Sequence, residues 1–190
     1  MMTLNKLLPT VALAFLALAP TAYAQQKLVP AQSEISFTFK QMGVPLEGHF
    51  KKFDAQIAFD PAKPATGKVA FTVDIASTSL GNAESDAELP KATWFNTAKF
   101  PQATFQSSSI KALGGGKFEV AGKLGIKGNQ RDVLIPLTLT QAGATTTASG
   151  VFPIKRLAFK IGENEWADTS VVADDVQVKF KIAMTGVNKM

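Results

Sequence analysis

Apolar and polar side chains alternate residue by residue over most of the chain. Ile35, Phe37 and Phe39 alternate with Ser36, Thr38 and Lys40. Phe53, Ala55, Ile57 and Phe59 alternate with Asp54, Gln56 and Ala58, and Val69, Phe71, Val73 and Ile75 with Ala70, Thr72 and Asp74. The same period returns over Phe118–Ile126, Val133–Leu139, Gly150–Ile154 and Val176–Met184, and Phe105–Ile110 adds a further run. Successive side chains of a strand point to opposite faces, so this period predicts half-buried β-strands. Asp60-Pro61, Pro64, Gly67, Gly114-Gly115-Gly116, Lys127-Gly128-Asn129 and Gly143 separate the runs as turns. About eight strands with short polar turns predict a mainly β, antiparallel sheet. Closure into a barrel or a tight sandwich would cover its apolar face and remove its edges.

The alternation stops between Ile75 and Phe105. Gly81–Lys91 (GNAESDAELPK) is polar and helix-compatible, with Asn82 or Ser85 as N-cap and a stop near Pro90. The next stretch, ATWFNTAKFPQATF, carries Trp94, Phe95, Phe100 and Phe105 on neither a strand period nor a helical stripe. A long connection inside a β protein is usually a lid, a plug or a packed excursion. Here Pro101 is expected to mark the return to the sheet, with Trp94 and Phe95 packing the excursion over one end of it. A second irregular stretch, Gly162–Asp175, carries Trp166.

The first residues belong to a different kind of segment. Lys6 precedes the apolar run LLPTVALAFLALAP, and Ala22-Tyr23-Ala24 has the small-x-small form of a cleavage site. That is the plan of a secretory signal peptide, so residues 1–24 are expected to be removed after Ala24. The expected product is a single domain over residues 25–190, exported to a bacterial periplasm. Removing 24 of 190 residues leaves 166, enough for one domain with a real core. The chain has no Cys, which excludes disulfides, thiolate catalysis and Cys-ligated metals.

The formal charge of +5 falls to +4 without Lys6, and the lysines are scattered. That favours solvated outer faces over nucleic-acid binding. All but Phe15 of the 14 Phe lie in the expected mature chain, whereas the one Tyr, Tyr23, does not. Aromatic surface without hydroxyls suits a dry interior.

Catalytic material is sparse. His49 is the one histidine, and no G-x-S-x-G, H-E-x-x-H or phosphate-loop motif occurs. Asp86/Glu88 and Asp174-Asp175 are close carboxylates in polar loops, and neither pair has EF-hand spacing. No catalytic and no metal-binding residue is expected, and the chain does not read as an enzyme. An outer-membrane barrel would need aromatic girdles and an apolar outer face, and Lys on the outward positions argues for apolar-in packing.

The motifs together resemble the YceI-like family of exported polyisoprenoid-binding proteins. Ser33–Phe37 with Gly43 is similar to its first strand and turn, Gly48-His49-Phe50-Lys51-Lys52-Phe53 to its G-x-F-x-x-F element, and Phe59-Asp60-Pro61 with Pro64 to its D-P-x-x-P turn. Asp86–Leu89, Trp94-Phe95-Asn96 and Phe100-Pro101 with Phe105 resemble its R-D-x-H-L, F-F-D and Y-P-x-x-x-F sequence. Val120–Gly128, Ile154–Gly162 and Asp174-Asp175-Val176 complete the resemblance. Ser85 stands where the family has arginine and Glu88 where it has histidine. The stretches KQMG, FPQATFQS and GENEWADTS are similar to a subgroup linked to di-haem b-type membrane cytochromes.

The resemblance implies an eight-stranded, lipocalin-like antiparallel barrel with a short helical excursion, enclosing a long apolar chain. Its lining would comprise Phe37, Phe39, Phe53, Phe59, Phe71, Trp94, Phe95, Phe105, Phe152, Phe159 and Phe180. Ile57, Val73, Leu124, Ile126, Ile135, Leu137, Ile154 and Val178 would fill between these rings. No cofactor is required, and the bound ligand would be an isoprenoid lipid or quinone. Expected partners are that lipid, a membrane cytochrome and a second copy of the chain as homodimer, with no nucleic acid. On the residues alone, a filled core is the default. The competing readings are therefore a lipid carrier, a filled barrel acting as an interaction module, and an enzyme built on His49 and a carboxylate.

Overall fold

The computed structural model describes residues 26–189; the expected signal peptide and its cleavage point lie outside the described residues. One antiparallel sheet holds eleven segments. They are β1 (Lys27–Leu28), β2 (Glu34–Gln41), β3 (Val44–Phe50), β4 (Phe53–Ala58), β5 (Lys68–Asp74) and β6 (Thr78–Ser79), then β7 (Gln102–Gly114), β8 (Lys117–Ile126), β9 (Asn129–Ala142), β10 (Thr145–Lys155) and β11 (Asp175–Thr185). The helix α1 (Ala83–Glu88) lies between β6 and β7, and 3-10 turns cover Ile75–Ser77, Arg156–Phe159 and Asn164–Ala167. No helix among the described residues is long and apolar enough to cross a membrane.

The spatial order is β4-β5-β7-β8-β9-β10-β11-β2-β3-β6, with β1 added on β11. The ends of that order meet. β3 continues into β4 through Lys51 and Lys52, and β5 into β6 through Ile75–Ser77. β3 pairs with β6 at His49↔Ser79 and Phe50↔Thr78. Across the two breaks Asp74 N donates to Lys52 O at 3.0 Å, and Lys51 N to Ser77 O at 3.2 Å. Taken as continuous strands, β3–β4 and β5–β6 each count once. With β1 set aside, the eleven segments then reduce to the expected eight-stranded circuit. β1 seals the remaining gap: it pairs with β11, and Gln26 beside it bonds through its amide to both the N–H and the carbonyl of Phe59.

Alternation does not reveal β3. Val44, Pro45, Leu46 and Glu47 are all exposed, so the first half of the segment shows no in–out alternation, and its strand form comes from its ladder with β2 and, at His49 and Phe50, with β6. Two hairpins close through tight turns with both central residues at positive φ, Met42-Gly43 (50° and 80°) and Lys127-Gly128 (49° and 74°). That geometry matches the twist of the flanking strands and favours glycine in the second position.

In the excursion, Asn82 caps α1 by accepting from Ser85 N at 2.8 Å, so Ser85 is not the cap. The helix is held down by Asp86, which accepts from Leu80 N at 2.6 Å and from the Ser79 hydroxyl at 2.8 Å. These bonds, the backbone one first, hold its carboxyl below the usual carboxylate range. The chain re-enters the sheet after Pro101, as β7.

Two apolar clusters result. The larger, including Ile35, Phe59, Ile110, Phe118, Val120 and Phe152, lies inside the barrel. The smaller joins Ile75, Leu89, Phe95, Ala103, Ile126, Phe159 and Ile161, and packs the excursion against one end.

Candidate functional site

The inward faces of the strands do not meet. They enclose a cavity of about 320 Å³ that runs from Met184, Ile182 and Ala148 at one end to Phe39, Ile126 and Ile154 at the other. The space exists because inward rings lie flat on the wall. Phe37 is paired with Gly48 across the β2–β3 ladder and Phe180 with Gly150 across β10–β11. A Cβ at Gly48 would fall 2.3 Å from the Phe37 ring, one at Gly150 2.7 Å from the Phe180 ring, and one at Gly122 2.6 Å from the Phe105 ring. Each glycine vacates the space its ring occupies, an arrangement known to secure glycines in sheets.

An unfilled space of ≈320 Å³, at ~24 cal/mol per Å³, costs about 8 kcal/mol relative to a filled core. Net stabilities are ~5–15 kcal/mol, so a void of this size is a large fraction of the total. The filled-core expectation does not hold, and the size falls within the range of ligand pockets, roughly 300–1,000 Å³.

Polarity is confined to one end. The lining is apolar except for Gln41 at the end of β2, Ser85 and Glu88 on α1, and Arg156 just beyond β10. Trp94 and Trp166 line the same end, with ring centroids 5.4 Å apart and planes at 46°. Glu88 is paired with Lys91. Arg156 is 3% exposed and directs all five N–H groups at backbone carbonyls: Ala173, Ile161, Gly162, Trp166 and Val172, at 2.6 to 3.1 Å. Burial pushes its pKa down, and Asp174 partly opposes this. The residue ties the loop over this end into one piece. Trp94 Nε1 is buried and has no hydrogen-bond partner among the described residues, a state that costs roughly 1–3 kcal/mol.

Of the residues expected to line a ligand space, all but two border this cavity: Phe37, Phe39, Ile57, Phe59, Phe71, Val73, Trp94, Phe95, Phe105, Leu124, Ile126, Ile135, Leu137, Phe152, Ile154, Val178 and Phe180. Phe53 does not. It is the first residue of β4, directly after the Lys51-Lys52 break; it shares the parity of Ile57, pairs with Val73 and packs half-buried against the larger cluster. Phe159 does not either. It sits in the 3-10 turn Arg156–Phe159, where strand alternation no longer applies, and is 2% exposed in the smaller cluster.

Other lining residues were missed. Ile35, Val69, Val120 and Ile182 share the inward parity of their strands and were accessible to the period-two argument. Arg156, Trp166 and Val172 come from irregular chain, where no period points inward.

His49 lies outside this space, on exposed β3. It faces Glu34 at 3.4 Å, with Glu47 close by, so that the three ligand atoms lie within 4.8 Å of one another. All three residues are exposed.

The YceI-like domain model matches residues 26–184. A UPF0312 protein of Photorhabdus laumondii is 33% identical over 164 residues, covering 80% of this chain and 85% of that one. The crystal structure of Burkholderia cenocepacia BcnA superposes with a TM-score of 0.80 at 50% identity, covering 83% of this chain and 99% of that one. A polyisoprenoid-binding domain from Saccharophagus degradans, implicated in plant cell wall breakdown, gives a TM-score of 0.70 over 85% of this chain and 98% of its own. At 15% identity that likeness establishes the fold alone.

Proposed function

The chain belongs to the YceI-like family, and from that premise we propose that it is a non-catalytic carrier that encloses the chain of an isoprenoid lipid in its barrel. The observation that carries this reading is the apolar cavity of about 320 Å³ with polar groups at one end only. Such a space matches an amphiphile: a long apolar tail in the barrel and a small head beside α1. Removing the tail from water supplies ~0.8 kcal/mol per buried CH2, and ordering a flexible chain offsets much of that. The polyisoprenoid-binding description of the Saccharophagus degradans domain, which shares the fold, supports the same class of ligand.

The lining contains one carboxylate, Glu88, held by Lys91, and no histidine. A binding role therefore fits the cavity better than acid–base chemistry does. The site of action we propose is the periplasm, reached through the leader at residues 1–24.

The test is organic extraction and native mass spectrometry of protein purified from its own host. A bound isoprenoid of one-to-one stoichiometry is the expected result. Protein that comes repeatedly free of lipid and takes up neither polyprenol nor polyprenyl quinone would overturn the proposal.

A further inference from the structure

We propose that the β2–β3 hairpin is a membrane contact that lays the polar end of the barrel on the surface of a lipid bilayer. It rests on the carrier reading and adds where the cargo is taken up. Among the described residues, Met42, Val44 and Leu46 are large apolar side chains with 76%, 58% and 37% exposure, all on this one hairpin. The other exposed ones, Leu113, Leu134 and Val151, are dispersed over β7, β9 and β10.

The ladder ties these side chains to the cavity. Directly paired residues of antiparallel strands project to the same face. Phe37, Phe39 and Gln41 line the cavity, and their partners on β3 are Gly48, Leu46 and Val44. The inward face of the barrel therefore runs on past Gly48 onto Leu46 and Val44. There the wall stops, because β6 pairs with β3 at His49 and Phe50 and no described strand flanks Val44–Glu47. The apolar lining thus emerges beside Gln41, at the end where Glu88 lines the cavity and keeps 41% of its side chain exposed.

The tip is held out, not loose. Met42 N donates to Val171 O at 2.7 Å, Ala173 N donates to Lys40 O at 2.9 Å, and Gln41 forms a bridge with Val172. These bonds keep the apolar side chains in water, which disfavours them.

Area, edge chemistry and charge select a bilayer as the occupant. Pro45 has no N–H and pairs with Lys40, and proline and lysine are residues that blunt an edge against another strand. A specific protein interface buries roughly 1,200–2,000 Å² and takes about 20–30 residues a side, far more than one hairpin tip presents. Binding to a bilayer scales with whatever apolar area enters it. The charged residues of the tip, Lys40 and Glu47, are one of each sign. The loop behind it adds Glu165 and Asp168. With no cationic patch to draw anionic lipid, the contact is apolar.

The chain has no Cys, so a single introduced one can carry an environment-sensitive fluorophore. Labelled at Met42→Cys, the protein should show a blue shift of emission with phosphatidylcholine vesicles, and labelled at Leu113→Cys it should show none. Salt at about 1 M should not reverse the shift. In the unlabelled chain, Met42→Ser combined with Val44→Ser should take up a polyprenol from those vesicles about tenfold more slowly. Its Kd for farnesol offered in solution should stay within about twofold of wild type.

No shift at Met42→Cys, an equal shift at Leu113→Cys, release by salt, or uptake from vesicles at the wild-type rate would overturn the proposal. So would a wild-type dimer that the double substitution dissolves, which would assign the hairpin to a second copy of the chain. If the wild-type protein binds neither farnesol nor polyprenol, the carrier reading itself fails, and the shift at Met42→Cys is read independently of cargo. The labelled chains also report the contact if the double substitution disturbs the fold.

Discussion

Gly48→Ala tests whether the cavity is made by glycine. The new methyl would lie 2.3 Å from Phe37 Cζ, 2.7 Å from its Cε1 and 2.8 Å from Leu80 Cδ2. Carbon–carbon contacts settle near ~3.5 Å or beyond, so the ring must retreat by about 1.2 Å. Phe39 at 6.2 Å and Phe50 at 5.2 Å crowd Phe37 on two sides, and the free direction is the cavity. Because that direction is empty, the ligand-free protein should relax with a loss below about 1 kcal/mol. In a domain of this size that is a fall in Tm of at most ~2–4 °C.

The bound state has no such freedom. A ring displaced into the lumen excludes about two or three methylenes of the tail, at ~0.8 kcal/mol each, or about 2 kcal/mol. Titration with a polyprenol should show about a thirtyfold rise in Kd. Gly43→Ala is the control, since its Cβ meets nothing within 4 Å and its φ of +80° adds only backbone strain. It should lower Tm slightly and leave Kd unchanged. Unaltered polyprenol affinity in Gly48→Ala, with the Phe37 ring shown to have moved inward, would refute the idea that this space holds the tail.

Other outcomes follow from the same geometry. Gly150→Ala should cost more stability than Gly48→Ala, about 1–3 kcal/mol by urea unfolding, because its Cβ also meets Pro136 O at 2.4 Å and backbone cannot swing aside. Phe71→Arg should abolish lipid retention on extraction, since Phe71 lies opposite Phe105 in the wall and a charge there has no partner. Arg156→Ala should destabilise by about 3–5 kcal/mol in urea unfolding, as five carbonyls lose their donor at once.

For Asp86 the prediction concerns pH. Its folded pKa is lowered by the Leu80 N–H and then by the Ser79 hydroxyl. Its stabilising contribution is thus complete above the unfolded value near ~3.9 and is lost as pH falls through the lowered folded value. The Tm difference between wild type and Asp86→Asn should be largest near neutral pH and shrink below about pH 4; a difference independent of pH would contradict it.

The alternation of apolar and polar residues sufficed to place β2, β4, β5 and β7 to β11 and to say which side chains face inward. Phe71, Phe105, Val178 and Ile154 were legible for that reason: a strand's parity is local and survives any tertiary arrangement. The helix and the return after Pro101 were legible from capping and proline chemistry. β3 was not, because Val44 to Glu47 are exposed on both faces and its ladders with β2 and β6 make it a strand. Phe53 keeps the inward parity of β4 without bordering the cavity, and Phe159 lies in a 3-10 turn where alternation has ended.

Parity says which residues face inward, but not whether opposite walls touch. That depends on the barrel's radius, fixed by strand number and stagger, and here on contacts between separate strands. Gly48 under Phe37, Gly122 under Phe105 and Gly150 under Phe180 hold the rings to the wall and leave about 320 Å³ between them. The polar end is likewise a product of the tertiary fold. Arg156 finds its carbonyls, and Trp94 meets Trp166, only because irregular chain is folded over the barrel. The sequence determined the apolar wall; the tertiary structure decided that the wall surrounds a space and that polar groups gather at one end of it.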